Sequence, residues 1–291
     1  MKGLVFRSSP QDWKHELQDV IRGASGGFLF GIPLLYTMEV WWIGSYTQPP
    51  LMLGILAVTF IVILLLNRTD GFRRSKPVRL KESAMDSIEA MAIGIVCVTC
   101  ALVLLREVTS STPLDEALGK IIFEGVPFSM GVALARSLLR SDENSTEEPG
   151  KSSVKTRSDR SATLADIGAT LVGTVIIAFN IAPTDEIPML AAAASPPWLL
   201  AIIAASLIVS YCIVFAAGFT MQSERRHHKG LFQHPLTETS TSYLISLVAA
   251  AFMLWFFHRL DFADPWTLWL RQTILLGLPA TIGGAAGRLT I

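Results

Sequence analysis

Eight apolar blocks, at residues 24–46, 51–66, 85–105, 114–138, 163–182, 198–219, 241–257 and 268–288, alternate with polar or charged segments along the chain. A bilayer core takes about 20 residues of helix, so most blocks suffice alone. The second and seventh are short and need flanking residues to complete a span. The pattern predicts an all-α fold, a polytopic membrane helix bundle of about eight transmembrane helices. Ahead of the first block, Trp13, Leu17, Val20 and Ile21 recur at helical spacing among polar residues, which predicts a short interfacial helix. Residues 1–23 contain no apolar core and no early cleavage site of small residues, so no removable signal peptide is expected.

The fourth and eighth blocks, the last of each half of the chain, share a motif. Gly125, Pro127, Gly131, Ala133 and Arg136 return as Gly277, Pro279, Gly283, Ala285 and Arg288, in register with Pro113 and Pro265 upstream. Between the halves, residues 140–162 are rich in Ser, Asp, Glu, Asn and Thr, too polar to bury a core, and are expected to be disordered. The organisation read from this is an N-terminal cytoplasmic or interfacial segment (1–23), a first four-helix half (24–139), a linker (140–162) and a second four-helix half (163–291). Four spans per half make the repeat parallel, with its axis along the membrane normal. The repeat is weak at the first and fifth blocks, where only Phe30 and Ile32 match Phe179 and Ile181.

Charge sets an expected orientation. Lys2, Arg7, Lys14 and Arg22 precede the first span; Arg68, Arg73, Arg74, Lys76, Arg79 and Lys81 follow the second. Arg140, Lys151, Lys155, Arg157 and Arg160 lie in the linker, and Arg225, Arg226 and Lys229 follow the sixth span. Loops on the other side carry only Arg106 and Arg259. The positive-inside rule therefore places both termini in the cytoplasm. Only 16% of the chain is charged and the net charge is zero, so no nucleic-acid partner is indicated.

Pro33, Pro127 and Pro279 each follow a glycine at i−2 (Gly31, Gly125, Gly277) inside an apolar block. Proline lacks an N–H and clashes with the carbonyl at i−4, so helix breaks are expected there, freeing the carbonyls of Leu29, Phe123 and Leu275. In lipid such carbonyls must face protein or a water-filled cavity; a plain packing kink is the alternative. The small residues at 131–133 and 283–287 read as close helix contacts.

Carboxylates at depth are functional candidates, because charge there is costly. Glu124 lies roughly 15 Å from the outer end of its helix at 1.5 Å per residue, beside the Phe123 carbonyl, and its repeat counterpart is Leu276. Glu39, close to Tyr36 and Thr37, has a similar depth and is its nearest candidate partner; interfacial placement beside Trp41 and Trp42 is the other reading. A pair of this kind binds a cation or shares a proton. Asp185 and Glu186, bracketed by Pro183 and Pro188, form a candidate outer mouth or an ordinary solvated loop. Asp86, Glu89 and Asp166 near helix starts complement the helix dipole. Arg136 and Arg288 read as snorkelling at helix ends.

Cys97, Cys100 and Cys212 sit in apolar runs and read as packing residues. The Arg225–Lys229 stretch with His227, His228 and His234 reads as a solvated cytoplasmic loop, with a metal-binding or pH-sensing patch as the alternative, and no second cluster completes a ligand set. Hydrolase, zinc-protease and nucleotide-binding signatures are absent, so no enzyme and no cofactor are expected.

The segments from Gly31 to Trp42, Glu124 to Ala133 and Asn180 to Glu186 resemble a family of bacterial multi-spanning integral membrane proteins of unknown function. The likeness spans most of the chain outside the linker and brings no activity, substrate or site residue with it. The residues themselves point to an inner-membrane ion channel or transporter, for a cation or proton, built on Glu124 and Glu39. The other reading is a non-transporting scaffold or sensor that signals through cytoplasmic loops. A homo-oligomer is left open, and the expected partners are the lipid bilayer and the transported ion.

Overall fold

The computed structural model describes residues 10–71, 80–142, 159–217 and 235–289. Arg73–Lys76, the centre of the polar linker and the Arg225–His234 stretch, all read above from sequence, lie outside the described residues. The order is α1 (Pro10–Leu35), α2 (Met38–Ser45), α3 (Pro49–Gly71), α4 (Leu80–Leu104), α5 (Leu114–Asp142), α6 (Asp159–Ile181), α7 (Glu186–Ala193), α8 (Pro196–Tyr211, continued by a π-helical turn Cys212–Ala216), α9 (Pro235–Phe256) and α10 (Trp266–Arg288). Among the described residues there is no strand.

Five helices (α3, α4, α5, α8 with its π turn, and α9) are long and apolar enough to cross a membrane. Two more candidates are bent pairs: α1 turns 91° into α2, and α6 turns 90° into α7. This gives five to seven spans where the sequence suggests eight. The missing one is α10, whose Arg271, Gln272 and run of Gly, Ala and Thr lower its hydropathy. Every residue from Ile274 to Ala285 is buried, and a helix sheathed by protein needs no lipid-compatible surface. The lipid-compatible faces are elsewhere, as at Leu53, Val58, Ile61 and Leu65 of α3 and Leu244, Val248 and Phe252 of α9.

The glycine–proline pairs do not break their helices. α1, α5 and α10 run on through Pro33, Pro127 and Pro279. A proline inside a helix forfeits one hydrogen bond, and tertiary packing holds the rest of the helix together. The real breaks are at Tyr36–Thr37 and Ala182–Asp185, where no glycine–proline pair stands.

α5 is the hub of the first half, packing on α1, α2, α3 and α4; α10 packs likewise on α6, α7, α8 and α9. Both hubs meet a first helix by direct backbone approach. A methyl on Gly131 would collide with the Gly26 carbonyl, and one on Gly283 with that of Gly173. The small residues at 131 and 283 are thus packing devices. Gly26 and Gly173 also set the register of α1 against α6, and the Phe30/Phe179 match is out of that register.

The α4 and α9 faces turned inward correspond closely. Ser87, Ala90, Gly94, Cys97, Val98, Ala101 and Leu102 are buried on α4; 152 residues on, Thr239, Ser242, Ser246, Ala249, Ala250, Met253 and Leu254 are buried on α9. Each helix ends in a left-handed residue, Arg106 (φ 67) and His258 (φ 55). The backbone then closes identically, with Glu107 N–H donating to Leu102 O and Arg259 N–H to Leu254 O, both at 2.9 Å. This is the hydrogen-bond pattern of a Schellman cap.

Candidate functional site

α2 lies across α5 because both present a glycine at the crossing. A methyl on Gly44 would stand 3.0 Å from the Gly119 carbonyl and from Lys120 Cα. This contact carries Trp41, one turn earlier on α2, to Glu124, one turn further along α5. Both side chains are 1% exposed. The indole lies beside the carboxyl and interacts with it through its N–H, while Glu124 Oε1 is buried without a hydrogen-bond partner. A buried carboxyl oxygen without a partner is costly unless something else occupies it.

Glu39 is not part of this site. It sits on the exposed side of the first turn of α2, whereas Trp41, two residues on, faces inward. A shared depth does not bring the two carboxylates together, because two residues along α2 turn it by about 200°, and Glu39 faces away from the side on which Trp41 meets Glu124. The expected Glu39–Glu124 pair is therefore not formed.

The α1–α2 elbow ties the halves together. Tyr36 is buried, and its hydroxyl donates to the carbonyl of Leu275 at 2.9 Å. That carbonyl is the one Pro279 deprives of its helical donor, so the expected free acceptor exists and is closed by a side chain of the other half. Thr37, half-buried, stands at the N-cap of α2 without a side-chain cap bond. The exposed N-terminus of α2 is met instead by Glu186 of α7, which accepts from Met38 N–H at 3.1 Å. Its Oε2 is buried without a partner, as is Gln272 Oε1 one turn before Leu275. Glu186 is thus a buried cap rather than a mouth residue.

Asp185 is also accounted for. Arg259, from the α9–α10 loop, binds its carboxylate at 2.8 Å and donates to the Pro183 carbonyl. An ion-paired aspartate concentrates few cations, so the expected acidic mouth is neutralised. Of the glycine–proline positions, Gly31 packs on the Phe128 ring, Gly125 faces Ile95 and Val98, and Gly277 faces Leu247. Pro33, Pro127 and Pro279 lie within their helices. A groove beside α2, lined by Trp42, Tyr46, Gln48 and Leu51 among others, includes neither Trp41 nor Glu124.

One charge inside a span, Lys120, went unread in the sequence, and one at a helix end, Arg288, has a different role from the one expected. Lys120, one turn from Glu124, is buried and bridges Glu116 Oε1 (2.9 Å) and Glu107 Oε2 (3.3 Å). Arg288 does not snorkel: it is 1% exposed, pairs with Glu238, donates to Ser242 Oγ at 3.0 Å and lies over the Phe215 ring. Lys120 was legible, since a lysine four residues from a buried glutamate shares its helix face. Arg288 was not, because nothing local distinguishes an internal end from one at the surface. Among the described residues, no three His, Cys, Asp or Glu side chains converge to hold a metal ion.

Long apolar helices with lipid-compatible flanks around an enclosed carboxyl define a polytopic helical membrane protein. Residues 19–291 match the family described as putative integral membrane protein (DUF2391), and the chain belongs to that family. The match takes in the five long apolar helices, the second bent pair and the first from residue 19 onward, in keeping with the likeness read from the Gly31, Glu124 and Asn180 segments. No curated protein and no solved structure matches the chain.

Proposed function

We propose that the protein is an ion channel or transporter of the inner membrane that passes a proton or cation through Glu124. The observation that carries this reading is a carboxyl inside a membrane span, 1% exposed, with one oxygen lacking any hydrogen-bond partner. An intramembrane carboxyl is retained where it binds or relays charge. The sequence asymmetry supports the same reading, because the repeat position of Glu124 is Leu276. The architecture that fits is a parallel 4+4 duplication with eight crossings and cytoplasmic termini. The matched inward faces of α4 and α9, the matched caps at Arg106 and His258, and the lysine and arginine distribution support it. α10 is then the eighth crossing, shielded from lipid. A flux screen in proteoliposomes, run against protons, sodium, potassium and chloride with protein-free vesicles as baseline, tests the proposal. Proton or cation flux above baseline is expected; a screen with none refutes transport of these ions.

One observation favours a second reading. The Leu275 carbonyl and the Asp185 carboxylate, both expected to line a pathway, are engaged by Tyr36 and Arg259. A bundle sealed in this way suits a scaffold or sensor, and that role would show as flux-free protein that retains a cytoplasmic partner.

A further inference from the structure

Glu116, Lys120 and Glu124 stand four residues apart on α5, so they share one face of the helix. Their exposure falls steadily inward: the Glu116 side chain is 34% exposed, Lys120 9%, and Glu124 1% as a residue. Glu107 overhangs the stripe from the α4–α5 loop and holds the Lys120 ammonium both by its carboxylate and by its backbone carbonyl, the latter at 3.1 Å. α2 covers the stripe through the Gly44–Gly119 contact and closes its inner end with Trp41. In the second half the same register reads Leu268, Gln272 and Leu276, with no ionisable group. Three charges in one copy and none in the other mark specialisation of α5, beyond the needs of folding a shared architecture.

We propose that ions reach Glu124 along this face of α5 from the α4–α5 loop, and that Lys120 is the charge controlling that passage. This rests on the reading of Glu124 as the ion site. In the structure Lys120 is held outward by Glu107 and Glu116. One helical turn is about 5.4 Å, and the lysine stem is flexible over four carbons. The same ammonium therefore reaches Glu124 when it leaves its outer partners. Lys120 held outward leaves the Glu124 carboxyl to accept a cation or proton; turned inward, it occupies that carboxyl as an internal counter-ion. Either way it repels a second cation on the stripe, which makes it a positioning residue that limits occupancy to one charge.

The test measures access and needs no transport. Glu124→Cys is made with Cys97, Cys100 and Cys212 replaced by alanine, and is treated in proteoliposomes with a membrane-impermeant cationic methanethiosulfonate and with a neutral one of similar size. Adding Lys120→Gln, the residue the second half carries, is expected to speed cationic modification at least about tenfold, the factor that ~1.4 kcal/mol of repulsion represents. Lys120→Arg is expected to stay slow, and Lys120→Met, which keeps the bulk without the charge, to match Lys120→Gln. Monodisperse elution of each variant reports folding. Equal rates with and without Lys120, no reaction in any variant, or equal acceleration of the neutral reagent overturns the proposal. A failure here leaves the flux reading standing, and absent flux leaves this access route standing.

Discussion

Replacing Tyr36 by phenylalanine removes one hydroxyl from a buried bond of 2.9 Å to Leu275 O. The acceptor is unusual, because Pro279 has already removed its helical donor. Without Tyr36 the carbonyl is left unpaired among Leu276, Leu278 and other fully buried residues. An unsatisfied buried acceptor costs about 1–3 kcal/mol, and side-chain hydrogen bonds between membrane helices average about 0.6 kcal/mol. Tyr36→Phe is therefore expected to destabilise the bundle by ~1 kcal/mol, roughly a fivefold change in the folding equilibrium. The mechanism is isolated by a double-mutant cycle with Pro279→Ala, which returns an N–H to the Leu275 carbonyl. Unfolding is followed by circular dichroism in mixed micelles of increasing SDS fraction. Tyr36→Phe should cost most of ~1 kcal/mol less when Pro279→Ala is present. An equal cost in both backgrounds refutes the claim that Tyr36 replaces the donor lost at Pro279.

Gly119→Ala places a methyl against the Gly44 carbonyl, backbone that cannot swing away; a loss of about 1–3 kcal/mol is expected in the same unfolding assay. Gly54, with nothing within 4 Å of an added Cβ, is the control, and Gly54→Ala should be neutral or stabilising by up to ~1 kcal/mol. Asp185→Asn breaks a pair exposed to 75% on the aspartate, so stability should change by no more than about 1 kcal/mol. Burial raises the Glu107 carboxyl above its ordinary value of 4.5, against the opposing pull of Lys120. The folded state thus holds that proton more tightly, so its contribution to stability is full below pH 4.5 and is lost as pH rises through the folded value. Lys120→Gln should carry that loss to higher pH, as read by the pH dependence of the unfolding midpoint.

Much of the bundle was legible because membrane helices announce themselves by length and hydropathy. The 152-residue register between Gly125 and Gly277 extends into α4 and α9, where polar and small residues such as Ser87 and Thr239 face inward in both copies. The elbows were not legible. The first falls inside a continuous apolar block, where Tyr36–Thr37 carries no turn signal and hydropathy cannot separate a span from a span that bends; the second follows the fifth block, where Pro183 and Asp185 read as an ordinary loop and not as a bend into a short helix. Proline misled for a related reason: it reports a lost hydrogen bond, and where the helix is held on all sides the loss is absorbed by a distant hydroxyl. Glu124 stood out as a charge at depth, but its neighbour could not be chosen by depth alone. Helical rotation took Glu39 outward and brought Trp41 in. α10 failed as a span on hydropathy for the reason it matters to the fold, since from Ile274 to Ala285 its surface is protein on every side.

Glu124 is the proposed group through which a proton or cation passes. The most direct measurement is electrogenic flux in proteoliposomes containing wild-type protein, Glu124→Gln or Glu124→Asp at equal density. Glu124→Gln keeps the shape and loses the charge, so flux should fall at least about tenfold, while Glu124→Asp, which keeps the carboxylate, retains a measurable part of it. Flux and ion selectivity unchanged in Glu124→Gln contradict the account.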